Sequence, residues 1–468
     1  MAILRCVLLV CLAFNPHIFA QSLTPLALCA LTDIWPQGPG SALEPQLPDA
    51  ELTQILAQID PERIKATITK LVSFGTRHTL SNQTDPTRGI GAARDWLASE
   101  LRGYAAQSHG RMTVSVPSYV QPPASRIPSD TVISNVVATL RGSAEPDRAY
   151  VISGHYDSRV SDSLNFVDDA PGANDDASGV AVTLELARVF AGHSPKATII
   201  FAAVAGEEQG LYGSNFLATS LKKAGVDVQG MLNNDIVGSS TGDDGARAPF
   251  DIRMFAQGIP TTETAAQIAT RVSIGGENDS PTRQLGRFVT EVAQNPSTNM
   301  SVHIVYRPDR YLRGGDHTSF LQQGFPAVRF TEPNENFAHQ HQDIRVVDGV
   351  QFGDLIDFVD FEYVTRVARV NGAALWSLAQ APGTPKGVLI DTTGLTNNST
   401  IKWTADAGAD GGYEIVWRAT EEAFWSHVIP VGQVDRATVQ LSKDNVHFGV
   451  RAVGRNGFRS PATFPFPG

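Results

Sequence analysis

The chain has 468 residues, 42% hydrophobic and 18% charged, which suits two or three folded domains at roughly 150 residues each. Its formal charge of −11 argues against nucleic acid or an anionic membrane as a partner. All three cysteines, Cys6, Cys11 and Cys29, fall in the first 29 residues, so no thiolate metal site or disulfide framework is expected beyond them.

Residues 1–20 read as an export signal, because Arg5 precedes the apolar run VLLVCLAF and Ala20 offers a cleavage point. That run is too short to span a membrane, and no later segment reaches about 18 uninterrupted apolar residues, so no membrane span is expected. Residues 21–50 are rich in Pro, Gly and Leu without a period and read as a loose leader.

Asp60 and Pro61 stand at N-cap and first-turn positions, and Ile64, Ile68, Leu71 and Val72 follow at helical spacing. A second helix carries Ile90, Ala93, Leu97 and Leu101, and RMTVSV, ISNVVATL and RAYVISG read as strands. From residue 150 strands alternate with helices. ATIIFAAVAG is a continuous apolar run, as in a strand buried on both faces. QGMLNND, DIRMFA, VHIVY and FPAVRF supply further strands, and a helix from about Asp354 to Leu378 closes the series. This order predicts an α/β catalytic domain over 51–381, with a mixed, largely parallel sheet flanked by helices. APGTP at 381–385 reads as a linker. TIKW, YEIVWR, ATVQL and VHFGVRAV then predict an all-β sandwich of fibronectin or immunoglobulin type over 386–468, with Trp403 and Trp417 in its core.

Metal-type side chains recur where the apolar runs end. VISGHYD ends in His155 and Asp157: a neutral imidazole can bind zinc and the carboxylate can fix its tautomer, although alone the pair reads as a strand-end hydrogen bond. In PGANDDASG, helix capping accounts for Asp176, while two adjacent carboxylates are unsuited to both being caps, which leaves Asp175 free. Glu207 and Glu208 follow the most apolar strand, where an unpartnered charge is costly. Asp235 ends GMLNND, while His339 and His341 lie in NFAHQHQD outside regular structure. Asp316–His317 in RGGDHTSF is a further pair that a capped turn explains equally well. Two histidines and three carboxylates can hold two divalent cations, with one Glu left as a base. A sulfur-free N/O set suits zinc best, with manganese or cobalt as alternatives.

GHYDS, PGANDDASG, AGEEQGLYGS, NNDIVG and HQHQD, in that order, closely resemble the motifs of the co-catalytic di-zinc exopeptidases, metallopeptidase family 28. That family includes bacterial leucyl aminopeptidases and glutamate carboxypeptidases, and the resemblance covers roughly residues 60–380. It implies two zinc ions, one on His155 and Asp235, the other on Glu208 and His339, bridged by Asp175. Glu207 resembles the general base and Asp157 the partner of His155. The family's last ligand usually lies four residues before an acid, and Asp343 places it at His339, with His341 as the competitor. DHTSF matches a segment near the substrate pocket, without the paired cysteines some members carry there.

The implied reaction is hydrolysis of a terminal peptide bond, with peptides as partners. An aminopeptidase is favoured because the site is acid-rich. The alternative is a carboxypeptidase that clamps a free carboxylate with Arg159, Arg310 and Arg313, and Tyr311 is a candidate to aid the oxyanion. A glutaminyl cyclase of related fold keeps one metal, against which His155 and Asp235 both speak. A non-catalytic ectodomain should have lost a ligand or the base, and none is missing.

Overall fold

The computed structural model describes residues 35–468; the expected export signal and all three cysteines lie outside the described residues. In chain order the first strands are β1 (Ser41–Ala42), β2 (Met112–Ser115), β3 (Ser118–Gln121), β4 (Thr131–Ser134), β5 (Val136–Leu140) and β6 (Glu145–His155). There follow β7 (Ala197–Val204), β8 (Asp227–Asn234), β9 (Asp251–Ala256), β10 (Ser301–Val305) and β11 (Ala327–Thr331).

Eight of these form one sheet in the order β10-β9-β11-β8-β6-β7-β5-β2. Its centre, β11-β8-β6-β7, is parallel, whereas β9 meets β11, and β5 meets both β7 and β2, in antiparallel register. The alternation of strands and helices thus gives the mixed α/β sheet expected. All eight residues of β7 are buried. Helices Ala177–Phe190 and Phe361–Gln380 cover one face, through Phe190, Phe201 and Trp376. On the other face, Leu217 and Phe320, from helices Tyr212–Lys223 and His317–Gln322, pack on Val151 and Ile200. Each such side chain contributes roughly 1.5–3 kcal/mol by leaving water.

The parallel centre positions the site. His155 pairs with Val204, and Ser153 with both Ala202 and Asn233, so β6, β7 and β8 finish level at one edge. Whatever follows those strands is delivered to the same place, the carboxyl edge where ligands bind in such sheets.

Two expectations need correction. The closing helix runs Phe361–Gln380, capped by Asp360 accepting the Tyr363 N–H, and not from Asp354. A 3-10 turn at Ile356–Phe358 precedes it, and Asp354 is drawn instead into the site. Nor is the described part of the leader loose. β1 pairs with strand His427–Gly432 of the C-terminal domain, Ser41 opposite Val428 and Ala42 opposite His427. The Trp417 indole donates to the Pro39 carbonyl at 2.8 Å. The chain then enters helix Ala50–Ala57, which buries Leu52, Ile55 and Leu56. A two-residue strand has no readable period, and its partner lies in the other domain.

The C-terminal domain is the expected sandwich of two four-stranded sheets, with Trp403 and Trp417 in its core. It docks on helix Pro281–Ala293 and the turn before it. Arg418 reaches Asp279 at 2.7 Å, Trp425 donates to Gln284 at 3.0 Å, and Arg451 pairs with Glu291 at 2.9 Å. No helix among the described residues is long and apolar enough to cross a membrane.

Candidate metal centre

β6 ends in His155 and runs on into Asp157. The His155 N–H donates to Asp176, which also accepts the Gly179 N–H as cap of helix Ala177–Phe190. Capping therefore occupies Asp176 and leaves Asp175 to face the ring, with Oδ1 3.0 Å from His155 Nε2. A Cβ on Gly179 would lie 2.2 Å from the Asn234 carbonyl oxygen, so only glycine lets this helix start so close to the end of β8. Asp235, just past β8, brings Oδ1 to 4.0 Å from His155 Nε2. His155, Asp175 and Asp235 form one group able to hold a cation.

After β7 the chain turns through Gly206, at φ +70°, into the short helix Glu207–Gly210. Glu208 is buried and Glu207 half-buried. The second group is Asp175, Glu208 and His341, with His341 Nε2 2.8 Å from Asp175 Oδ2 and 3.0 Å from Glu208 Oε1. In each group the ligand atoms lie within 4.8 Å of one another, and Asp175 belongs to both.

The expected fifth ligand, His339, is not there. Its backbone N–H closes a turn onto the Asn336 carbonyl, and its ring stacks on Phe358 with centroids 3.5 Å apart. His341, at φ +50°, turns inward instead. Asp157 also differs in part from expectation. His155 Nδ1 faces its main-chain carbonyl at 3.1 Å, closer than its carboxylate at 3.5 Å. The Asp157 carboxylate accepts the N–H groups of Glu207 and Glu208, at 3.3 and 3.2 Å, and the Thr79 hydroxyl at 3.0 Å. It holds the Glu–Glu turn as well as the imidazole.

Two site residues, Asp354 and Arg329, carry no site signal in the sequence. Asp354 accepts the N–H groups of Asn174 and Asp175 at 2.8 and 2.7 Å, fixing the backbone of the shared carboxylate. Fully buried Arg329 pairs with Asp235 at 2.8 Å, and Arg159 with Glu208 at 2.8 Å. Arg159 Nη2 also lies 2.7 Å from His341 Nδ1. Asp316 of DHTSF is buried, and burial pushes its carboxyl up to about 7. Tyr311 is 77% exposed beneath the Arg307 guanidinium and does not line the pocket.

The electrostatics fit bound positive charge. Burial first, then Asp235, Glu208 and Asp316, push Glu207 well above the usual carboxylate range despite the opposing pull of His155. Burial opposes charge on His341, but Glu208 and Asp175 outweigh it and raise it to about 10. Buried carboxylates crowded in this way need positive charge to stay ionised. Glu208 Oε1 is met by His341 Nε2, at 3.0 Å. The donors are imidazole and carboxylate without sulfur, the set that suits zinc.

A family model described as "Peptidase family M28" matches residues 135–346. The chain is 60% identical to a "Probable zinc metalloprotease" of Pyrenophora teres f. teres, over 96% of this chain and 93% of that protein. It is also 60% identical to a similarly named protein of Pyricularia oryzae, over 95% and 90% respectively. The crystal structure of the Legionella pneumophila LapA aminopeptidase, 18% identical, covers 76% of this chain and 82% of its own with a TM-score of 0.52, and shares the fold. The chain belongs to peptidase family M28, alongside relatives named as zinc metalloproteases.

Proposed function

We propose that this M28 metalloprotease is an exported dinuclear zinc exopeptidase that removes N-terminal residues from peptides. The observation that carries the reading is the pair of three-residue groups sharing Asp175, with Glu207 beside them. His155, Asp175 and Asp235 would hold one zinc; Asp175, Glu208 and His341 the other. Bound there, the two ions would polarise the scissile carbonyl and acidify the attacking water.

The chain's own residues do the rest. Glu207 takes a proton from the water on its carboxylate and returns it to the leaving amine nitrogen. Asp157 keeps Glu207 and Glu208 in register by holding both backbone N–H groups. Asp354 does the same for Asp175, and Arg329 orients Asp235. Export is supported by Arg5, the apolar run after it and Ala20.

A carboxypeptidase is the second reading, favoured by Arg126, Arg159, Arg310 and Arg313 in the pocket wall. Hydrolysis of aminoacyl chromogenic amides and of N-blocked peptides, with and without chelator, tests both. Chelator-sensitive cleavage confined to free amino termini is expected. Cleavage only of N-blocked peptides with free carboxyl termini would replace the first reading by the second.

A further inference from the structure

We propose that the pocket over the metal-type groups contains a subsite for a carboxylate on the substrate, built from Arg126, Arg310 and Arg313. This rests on the peptidase reading and specifies which peptides it favours.

The pocket has a volume of about 660 Å³. The carboxylates in its wall are Asp175, Glu207, Glu208 and Asp235, every one already assigned to a cation or to proton transfer. The cationic side is not used up in this way. Arg159 is taken by Glu208, but Arg126 forms no ion pair among the described residues and donates only to the Glu208 main-chain oxygen, at 2.7 Å. Arg126 sits at the tip of a turn closed by reciprocal hydrogen bonds between Ala124 and Ile127, and buried Ile127 anchors it beside the site. On the Asp235 side, Arg253, Arg310 and Arg313 all converge on Glu335. One carboxylate cannot neutralise three guanidinium groups. Asp309 is shared between Arg310 and Arg329, so it does not make up the difference. The Arg313 guanidinium donates a single N–H, to Glu335 at 3.2 Å, and its remaining donors have no partner among the described residues.

A partly desolvated guanidinium with spare N–H groups offers a paired, planar match to a carboxylate. Two sources have that chemistry: the free α-carboxylate of a short peptide, and an acidic side chain next to the scissile bond.

The test compares kcat/KM for four peptides sharing one N-terminal residue. One pair differs as Glu against Gln at the second position, with amidated ends. The other pair differs as a free against an amidated carboxyl terminus. At least a ten-fold preference for the anionic member is expected in one pair, carried by KM and weakened by salt. Arg313→Gln should lower that preference. Glu335→Gln, which releases Arg310 and Arg313, should raise it, whereas general damage to the pocket would move both variants the same way. Equal or better hydrolysis of the neutral member in both pairs, or parallel shifts in the two variants, overturns the subsite alone. No chelator-sensitive hydrolysis of any of the four removes the peptidase reading, and the subsite with it.

Discussion

Two buried clusters of charge lie in this molecule, and they are built on opposite terms. Where the sandwich docks, the fully buried Asp279 carboxylate is met by Arg287 at 3.0 Å, Arg418 at 2.7 Å and the Gln284 amide at 3.0 Å. Acid and base there pair within the chain, two guanidiniums on one carboxylate. At the carboxyl edge of the sheet, Asp175, Glu207, Glu208 and Asp235 crowd around two histidines, with Arg159 and Arg329 as the contacting guanidiniums. The first cluster is finished by the protein and acts as a joint. The second is short of positive charge and calls for cations, which is why one is architecture and the other is a site.

The contrast can be broken at either end. The largest expected effect is at Glu207: Glu207→Gln should lower turnover by about 10²–10⁴-fold, the range for a lost general base, while zinc content is retained. Because it removes one of several crowded acids, it should not destabilise the chelated protein; a fall in melting temperature under chelator would contradict the charge argument. Asp279→Asn works the other way. It leaves two buried arginines facing a neutral amide and should cost about 3–5 kcal/mol in denaturant unfolding, with zinc content intact. Normal stability in that variant would mean the joint is not held by its ion pairs.

A smaller effect is expected at Glu335. Burial opposes its charge, but Arg310, Arg313 and Arg253 outweigh this and hold its carboxyl below the usual range. A depressed carboxyl contributes stability above its unfolded pKa of about 4.3, and loses it as pH falls through the folded value. The stability difference between the wild type and Glu335→Gln should therefore be full at neutral pH and shrink below about pH 4. A constant difference across that range would argue against the arginine cluster as its cause.

Much of the site was legible because it lies at the ends of apolar runs. VISGHYD, ATIIFAAVAGEE and GMLNND each announce a strand and the residue it delivers, and the level register of β6, β7 and β8 makes three such ends one place. The last histidine was not legible in the same way. It lies outside regular structure, where spacing to Asp343 pointed to His339, and only the inward turn at His341 decides between the two. Asp354 was masked by its nearness to a helix. The edge strand Ser41–Ala42 was masked by a partner in the other domain, a pairing that no local pattern encodes.

Zinc stoichiometry in His341→Ala and His339→Ala, measured by elemental analysis beside the unmodified protein, tests the central claim most directly. Two zinc ions per chain are expected in the unmodified protein and in His339→Ala, and one or none in His341→Ala. Two retained in His341→Ala, or a loss confined to His339→Ala, would contradict the paired groups sharing Asp175.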